Sequence, residues 1–198
     1  MADDETLRFY AEHAAAYANR QRGAPDPELA AFMAALPPGA AILELGTGGG
    51  HDAAAMLTRG FAVTPTDASP DLAKEAGKRL GIPVRLMRFS ELDAVQGYDA
   101  VWANAALLHA PRNELTDDLA RIYRALRPGG LFQASFKAGS GEGRDQFGRY
   151  YNYPDRTVLE DHFTSAAPWS LLEFTEADGS GYDQLPTRWL WVRARKSA

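Results

Sequence analysis

Ala40-Ala41-Ile42-Leu43-Glu44-Leu45-Gly46-Thr47-Gly48-Gly49-Gly50 is the stretch that decides the fold. An apolar run broken only by Glu44 reads as a short buried strand. Three glycines then alternate at 46, 48 and 50. Glycine tolerates positive φ and lets a ligand approach the main chain, so the run predicts a tight turn under a binding site. A helix follows from about Asp52 to Arg59, and Phe61 to Thr66 reads as a second strand.

Outward from that unit the alternation continues. Ser69-Pro70-Asp71 is a helix start, with a capping serine, proline at the first helical position and an acid in the first turn. That helix runs to about Leu80. Strands are predicted at Val84–Phe89, Asp99–Ala103 and Leu131–Phe136, with a helix at Asn113–Leu126 stopped by Pro128-Gly129-Gly130. Strands alternating with helices argue for a doubly wound, mostly parallel sheet with helices on both faces. In such sheets the ligand sits beyond the carboxyl ends of the strands.

Upstream, residues 5–20 carry apolar residues at helical spacing. Gly23-Ala24-Pro25-Asp26-Pro27 breaks that helix, and a second runs from Pro27 to Leu36. Downstream, residues 138–153 read as a loop rich in Gly, Arg and Tyr. A short helix from Asp155 to Phe163 and strands at Leu171–Thr175 and Arg188–Arg195 complete the chain. The expected architecture is a seven-stranded Rossmann-like sheet with an antiparallel C-terminal strand pair. It is expected as a single domain over 1–198, with residues 1–38 as a helical cap and 39–198 as the core.

Composition narrows the function. The chain has 198 residues, no cysteine and a net charge of −5. Thiolate metal sites, a cysteine nucleophile and disulfides are excluded. The basic residues are scattered, without the stripe of a nucleic-acid binder. The acidic start Met1-Ala2-Asp3-Asp4-Glu5-Thr6 lacks a signal-peptide pattern, and no apolar run approaches a membrane span, so a cytoplasmic location is expected. No His/Asp/Glu cluster has metal spacing. A small-molecule substrate fits best, with no nucleic-acid or membrane partner. Oligomeric state is not legible.

The glycines admit two cofactor classes. Gly48-Gly49-Gly50-His51-Asp52-Ala53 fits a relaxed dinucleotide fingerprint, and Asp67, 21 positions past Gly46, stands where an acid binds ribose hydroxyls in either class. Charge separates them. A pyrophosphate wants bare N–H groups at a helix start. Glu44 and Asp52 would repel it, whereas both would attract a sulfonium and an ammonium.

At this point the chain resembles the class I S-adenosylmethionine-dependent methyltransferases. Ile42-Leu43-Glu44-Leu45-Gly46-Thr47-Gly48-Gly49-Gly50 resembles their first motif, E/D-x-G-x-G-x-G. Asp67 matches their ribose-binding acid. Tyr98-Asp99-Ala100-Val101-Trp102-Ala103-Asn104, followed by Leu107-Leu108-His109, resembles their fourth-strand motif. Leu126-Arg127-Pro128-Gly129-Gly130-Leu131 resembles the L-x-P-G-G signature before the fifth strand. Phe89-Ser90 takes the place where the family usually carries an acid near adenine, so serine departs from the pattern. Within the family, the likeness is to small bacterial methyltransferases of the type-11/12 or tellurite-resistance-like kind. The Asn/Asp-Pro-Pro-aromatic element of adenine and glutamine N-methylation is absent, since Ala105-Ala106 follow Asn104.

The resemblance implies S-adenosylmethionine as cofactor and methyl transfer to a small acceptor as the activity. It implies cofactor contacts from Tyr10, Tyr17, Glu44, Gly46, Thr47, Gly48, Gly50, Asp52, Asp67, Ala68, Phe89, Ser90, Asn104 and Ala105. An NAD-dependent oxidoreductase and a non-catalytic S-adenosylmethionine-binding protein are the alternatives. His109, just past the fourth strand, is the candidate general base; a histidine packing the helix start near Pro111 is the rival reading. Lys137, Arg144, Arg149, Tyr150, Tyr151 and Tyr153, with His109, are the candidates to contact the acceptor, in a loop that Gly139, Gly141 and Gly143 would let close as a lid.

Overall fold

The computed structural model describes residues 3–20 and 26–198. The expected break at Gly23 and Pro25 lies outside the described residues. The elements run α1 (Asp4–Glu12), α2 (Ala14–Asn19), α3 (Pro27–Ala34), β1 (Ala41–Leu45), α4 (His51–Thr58), β2 (Ala62–Asp67), α5 (Pro70–Leu80), β3 (Arg85–Leu86), β4 (Tyr98–Ala103), α6 (Arg112–Ala125), β5 (Leu126–Lys137), β6 (Gly141–Arg144), β7 (Tyr150–Tyr153), α7 (Arg156–Ala166), β8 (Trp169–Ser180) and β9 (Pro186–Lys196).

Seven strands form one sheet in the order β3-β2-β1-β4-β5-β9-β8. The first five run parallel, and β9 is antiparallel to both β5 and β8. The order reverses between β1 and β4, so a crevice opens beyond Leu45 and Ala103.

Strand alternation sorts the core. Leu43, Leu45, Val101, Ala103, Phe132 and Phe136 face α6 and α7, packing on Leu115, Leu119, Ile122, Leu159 and Phe163. Ile42, Ala100, Trp102 and Trp191 face the other way, onto Leu29, Phe32 and Met33 of α3 and Met56 of α4. The Phe32 and Trp102 rings are 4.9 Å apart. α3 is therefore a layer of the core. α1 and α2 lie over the crevice, where Phe9, Tyr10, Ala14 and Tyr17 cluster with Leu72 of α5 and Tyr182, while the first turn of α3 reaches its rim.

Local chemistry sets the helix starts. Asp26, Ser69 and Asp155 each accept a main-chain N–H from the first turn of α3, α5 and α7. Gly81 ends α5 with φ +68°. At the far edge of the sheet, Asp99 accepts from Ala41 N–H at 2.8 Å and pairs with Arg127, stitching β1 to β4 away from the crevice.

Three expectations change. The N-terminal helix is two, broken at His13. The third strand shrinks to Arg85–Leu86, because the chain turns into a 3-10 segment at Phe89–Glu91. The expected loop at 138–153 contains a hairpin, with Gly143 opposite Tyr151 and Arg144 opposite Tyr150.

Candidate functional site

A cleft of about 750 Å³ sits at the switch point. Its floor is the glycine loop. Gly46 has φ +68° and packs so closely on the segment after β4 that a Cβ would lie 2.7 Å from the Cβ of Ala106. Thr47 N–H donates to Thr66 O at 2.8 Å, tying the loop to β2. Gly48 N–H donates to Asp67 at 2.9 Å, as does Ser69 N–H to the other carboxylate oxygen. Burial pushes Asp67 up to about 6, against the pull of those N–H groups. Asp67 lines the cleft, and its carboxylate offers more acceptor sites than these bonds use.

The glycines leading into α4 pack against the protein, while His51 and Asp52 of its first turn face the cleft. A Cβ on Gly49 would meet the main chain of Ala18 at 2.9 Å, and one on Gly50 would press on Ala76 and Leu80. The His51 ring meets Ala18 O at 3.0 Å. These contacts leave no open cradle of helix N–H groups for a pyrophosphate.

Acids gather at this end. Asp26, Glu28, Asp52 and Asp67 all line the cleft. Asp52 accepts from Trp102 Nε1 at 3.0 Å and from Asn104 Nδ2 at 3.1 Å, and Asn104 also reaches Asp26 at 3.4 Å. Ser135 donates to Asn104 Oδ1 at 2.7 Å and accepts Ala105 N–H at 2.8 Å, holding Ala105 at φ +52°.

The other end is aromatic and basic. Arg149 is 1 % exposed. Its Nε and Nη2 donate to Asp145 at 2.9 and 2.6 Å, and its guanidinium lies within 6 Å of the rings of Phe9, Tyr10, Phe147, Tyr151 and Tyr182. Arg149 Nη1 also donates to the Tyr10 hydroxyl at 3.3 Å. His109 Nδ1 is 2.6 Å from Tyr150 O, and Nε2 is 2.9 Å from the Tyr10 hydroxyl. A carbonyl can only accept, so Nδ1 carries the proton and Nε2 accepts from Tyr10. His109 is pushed down to about 4, chiefly by burial and further by Arg149 and Lys137. It is neutral at physiological pH, with both ring nitrogens engaged.

With that geometry in place, known proteins can be compared. Residues 42–130 match the family model described as a methyltransferase domain. That match, over a little less than half of the chain, makes the segment from β1 to the start of β5 similar to methyltransferase domains. Protein-L-isoaspartate O-methyltransferase of Gloeobacter violaceus is 35 % identical to it over 114 residues, 52 % of this chain and 55 % of that protein. Ubiquinone biosynthesis O-methyltransferase of Paramagnetospirillum magneticum is 29 % identical over 102 residues, 49 % of this chain and 40 % of that protein. The chain thus spans about half or less of the length of these curated relatives. The Burkholderia thailandensis 1,6-didemethyltoxoflavin-N1-methyltransferase, solved with its substrate and S-adenosylhomocysteine, superposes with a TM-score of 0.67 at 27 % identity, over 87 % of this chain and 77 % of that one.

The domain brings together Tyr10, Tyr17, Gly46, Gly48, Asp52, Asp67, Ala68, Phe89, Asn104, Ala105, His109, Lys137, Arg149 and Tyr151 on one cleft. Several expected residues lie elsewhere. Glu44 follows the Ile42 face of β1 beneath the loop, where the Thr47 hydroxyl donates to it; neither lines the cleft. Gly50 packs on α5, and Ser90 is turned out of the cleft lining. Arg144 pairs with Asp3 and Glu5 at 3.1 and 3.0 Å, clamping the β6–β7 hairpin to α1. Tyr150 serves through its main chain: its O holds His109 and its N–H donates to Thr6. Tyr153 stacks behind Tyr151, with ring centres 5.3 Å apart.

Sequence reasoning missed the third wall. The tip joining β8 and β9 brings Gly181, Tyr182 and Gln184 to the cleft, with Trp189 behind them. Tyr182 stacks on Tyr17 and meets Phe9 and Phe147 edge-on. The one signal was Gly179-Ser180-Gly181-Tyr182-Asp183, a glycine-flanked aromatic between two strands.

Proposed function

We propose that this chain transfers a methyl group from S-adenosylmethionine to a small-molecule acceptor. The observation that carries the reading is Asp67, buried at the carboxyl end of β2, joined to the glycine loop through Gly48 N–H, and lining the cleft. Its carboxylate is suited to two ribose hydroxyls. Asp26, Glu28 and Asp52 give this end a negative field that favours a cationic ligand. Phe89 and Ala68 would flank the adenine, and Tyr17, whose ring stands over Gly48, would cover the bound molecule.

S-adenosylmethionine supplies, when bound, a methyl carbon on a positively charged sulfur, which an acceptor lone pair attacks in line while the C–S electrons leave with sulfur. The protein's contribution is then positioning and exclusion of water. Tyr10 lines the cleft with its hydroxyl direction fixed by Arg149 and His109. We assign His109 as a positioning residue acting through Tyr10, because a ring held neutral down to about 4 is a poor store for a proton at neutral pH. The pH profile of turnover should then show no histidine limb between about 5.5 and 8. A limb near 6.5, lost in His109→Gln, would make His109 the base.

The likeness to 1,6-didemethyltoxoflavin-N1-methyltransferase supports a small acceptor, as does a cleft of about 750 Å³. We also propose that the chain is one domain, capped by residues 3–20 rather than by the whole of 1–38, since Phe32 of α3 is wedged on Trp102 in the core. Calorimetric titration with S-adenosylhomocysteine tests the reading, with binding in the micromolar range expected. No binding at millimolar ligand overturns it, and NADH binding in its place would restore the oxidoreductase alternative. If S-adenosylmethionine binds but no acceptor is methylated, and Tyr10→Phe and Lys137→Met leave every phenotype intact, the chain is a non-catalytic binder.

A further inference from the structure

We propose that the acceptor is a planar monoanion, an aromatic carboxylate, anchored by the Lys137 ammonium. The proposal rests on the methyltransferase reading above and names the substrate class of that cleft.

Lys137 ends β5 at the carboxyl edge of the sheet and is 6 % exposed, yet it lines the cleft. Its Nζ makes no hydrogen bond to any described residue. The Asp183 carboxylate stands 3.9 Å away, beyond hydrogen-bond reach, and the Tyr151 ring face is 4.6 Å away. An ammonium has three donors, and no described residue accepts a hydrogen bond from them here. Burial lowers the lysine's proton affinity, while Asp183 and, farther off, Asp145 hold it up. Gly181 brings main chain against the ammonium, since a Cβ there would lie 2.7 Å from Nζ. The pocket around this charge is built, and it lacks a full partner.

The charges say what completes it. Among the described residues, three cationic side chains line the cleft besides the histidines: Arg20, Lys137 and Arg149. Arg149 is committed to Asp145 and the Tyr10 hydroxyl. Arg20 lies over the rings of Tyr17 and Tyr182, at 4.6 and 5.6 Å. Lys137 has one carboxylate near it, Asp183 at 3.9 Å and off hydrogen-bond distance, so its donors suit one further negative charge. A phosphate dianion would find too few donors. The walls say the rest: Tyr10, Tyr151, Tyr182 and Trp189 line the same cleft, and Trp189 is the direct cross-strand neighbour of Lys137. Flat aromatic faces accept a flat ligand.

The test is a titration of benzoate, 2-hydroxybenzoate and 4-hydroxybenzoate, each against its neutral amide and against inorganic phosphate. It uses the full chain saturated with S-adenosylhomocysteine. We expect the carboxylates to bind at least tenfold tighter than the amides. Lys137→Met should erase that preference while changing S-adenosylhomocysteine affinity less than twofold. Lys137→Gln, which keeps a polar end, guards against loss of fold, and thermal unfolding of both variants checks it. A preference that survives in both variants, equal binding of acids and amides, no binding of either, or tighter binding of phosphate would each overturn the proposal. Failure of S-adenosylhomocysteine itself to bind, measured first, would instead overturn the methyltransferase reading.

Discussion

The glycine-loop end of the cleft and the hairpin end solve different problems with different material. The loop end is main chain and carboxylates, set on the parallel strands β1, β2 and β4 within a few residues of one another. Its key contacts join the ends of neighbouring strands: Gly48 to Asp67, Thr47 to Thr66, Asn104 to Asp52. The hairpin end is assembled from α1, the β6–β7 hairpin, β5 and the tip between β8 and β9. There Arg149 meets Tyr10 across 139 positions of sequence. One end is acidic, and we propose it for a cationic donor; the other is aromatic with a loosely paired lysine, and we propose it for an anionic acceptor. The contrast teaches that a shared scaffold can carry a donor site while a separately recruited wall chooses the acceptor.

Substitutions at the two ends should separate cleanly. The largest effect is expected from Arg149→Met. It strands the buried Asp145 carboxylate among rings, so stability should fall by about 3–5 kcal/mol, read as a drop of roughly 10 °C in thermal unfolding. Replacing Asp145 by Leu in the same chain should recover much of that loss. A drop that the second change does not relieve would mean the ion pair is not what holds this end together.

Asp67→Ala should act at the opposite end. S-adenosylhomocysteine affinity should fall about 100-fold, or ~3 kcal/mol, with the circular dichroism spectrum intact and carboxylate binding at the hairpin end altered far less. Equal losses at both ends would deny their independence.

The third effect is of pH on cofactor affinity. Burial raises Asp67 from its ordinary value to about 6. A ligand that prefers the ionised carboxylate binds fully above that value and weakens as pH falls through it. Affinity should drop by up to about tenfold per pH unit below 6, and Asp67→Asn should flatten the curve. In stability the same shift has the opposite sense: a raised carboxyl favours the folded chain at low pH and loses that favour as pH rises through 6. His109, held down to about 4, works the other way, since the unfolded chain takes up the proton first and stability is lost as pH falls from 6.5 toward 4.

The smallest effect is expected at Arg144. Its pairs with Asp3 and Glu5 are partly exposed and screened, so Arg144→Ala should cost no more than ~1 kcal/mol and change turnover less than twofold. A large loss in acceptor affinity would return Arg144 to the acceptor site.

The legibility of the two ends follows the same divide. The strand–helix alternation, the glycine turn and Asp67 were readable because hydrophobic period, glycine spacing and a carboxylate at a strand end are written in short stretches of sequence. The loop reading of 138–153 failed because glycines at 139, 141 and 143 look like turn residues. Pairing with Tyr150–Tyr153 makes them a strand only once both segments are present. Glu44 was assigned to the cofactor by its motif position, yet strand alternation turns it beneath the loop, where Thr47 holds it.

By itself the sequence determined the alternation of strands and helices, the glycine turn and the acids around it, because periodicity, turn chemistry and charge act over a few residues. Only the tertiary structure decided which of Lys137, Arg144, Arg149, Tyr150, Tyr151 and Tyr153 face the cleft, and that Tyr182 joins them. It also decided that His109 stands neutral between Tyr10 and Tyr150. Those outcomes depend on which buried groups find partners across the fold, and burial and pairing are properties of the assembled core that no local spacing encodes.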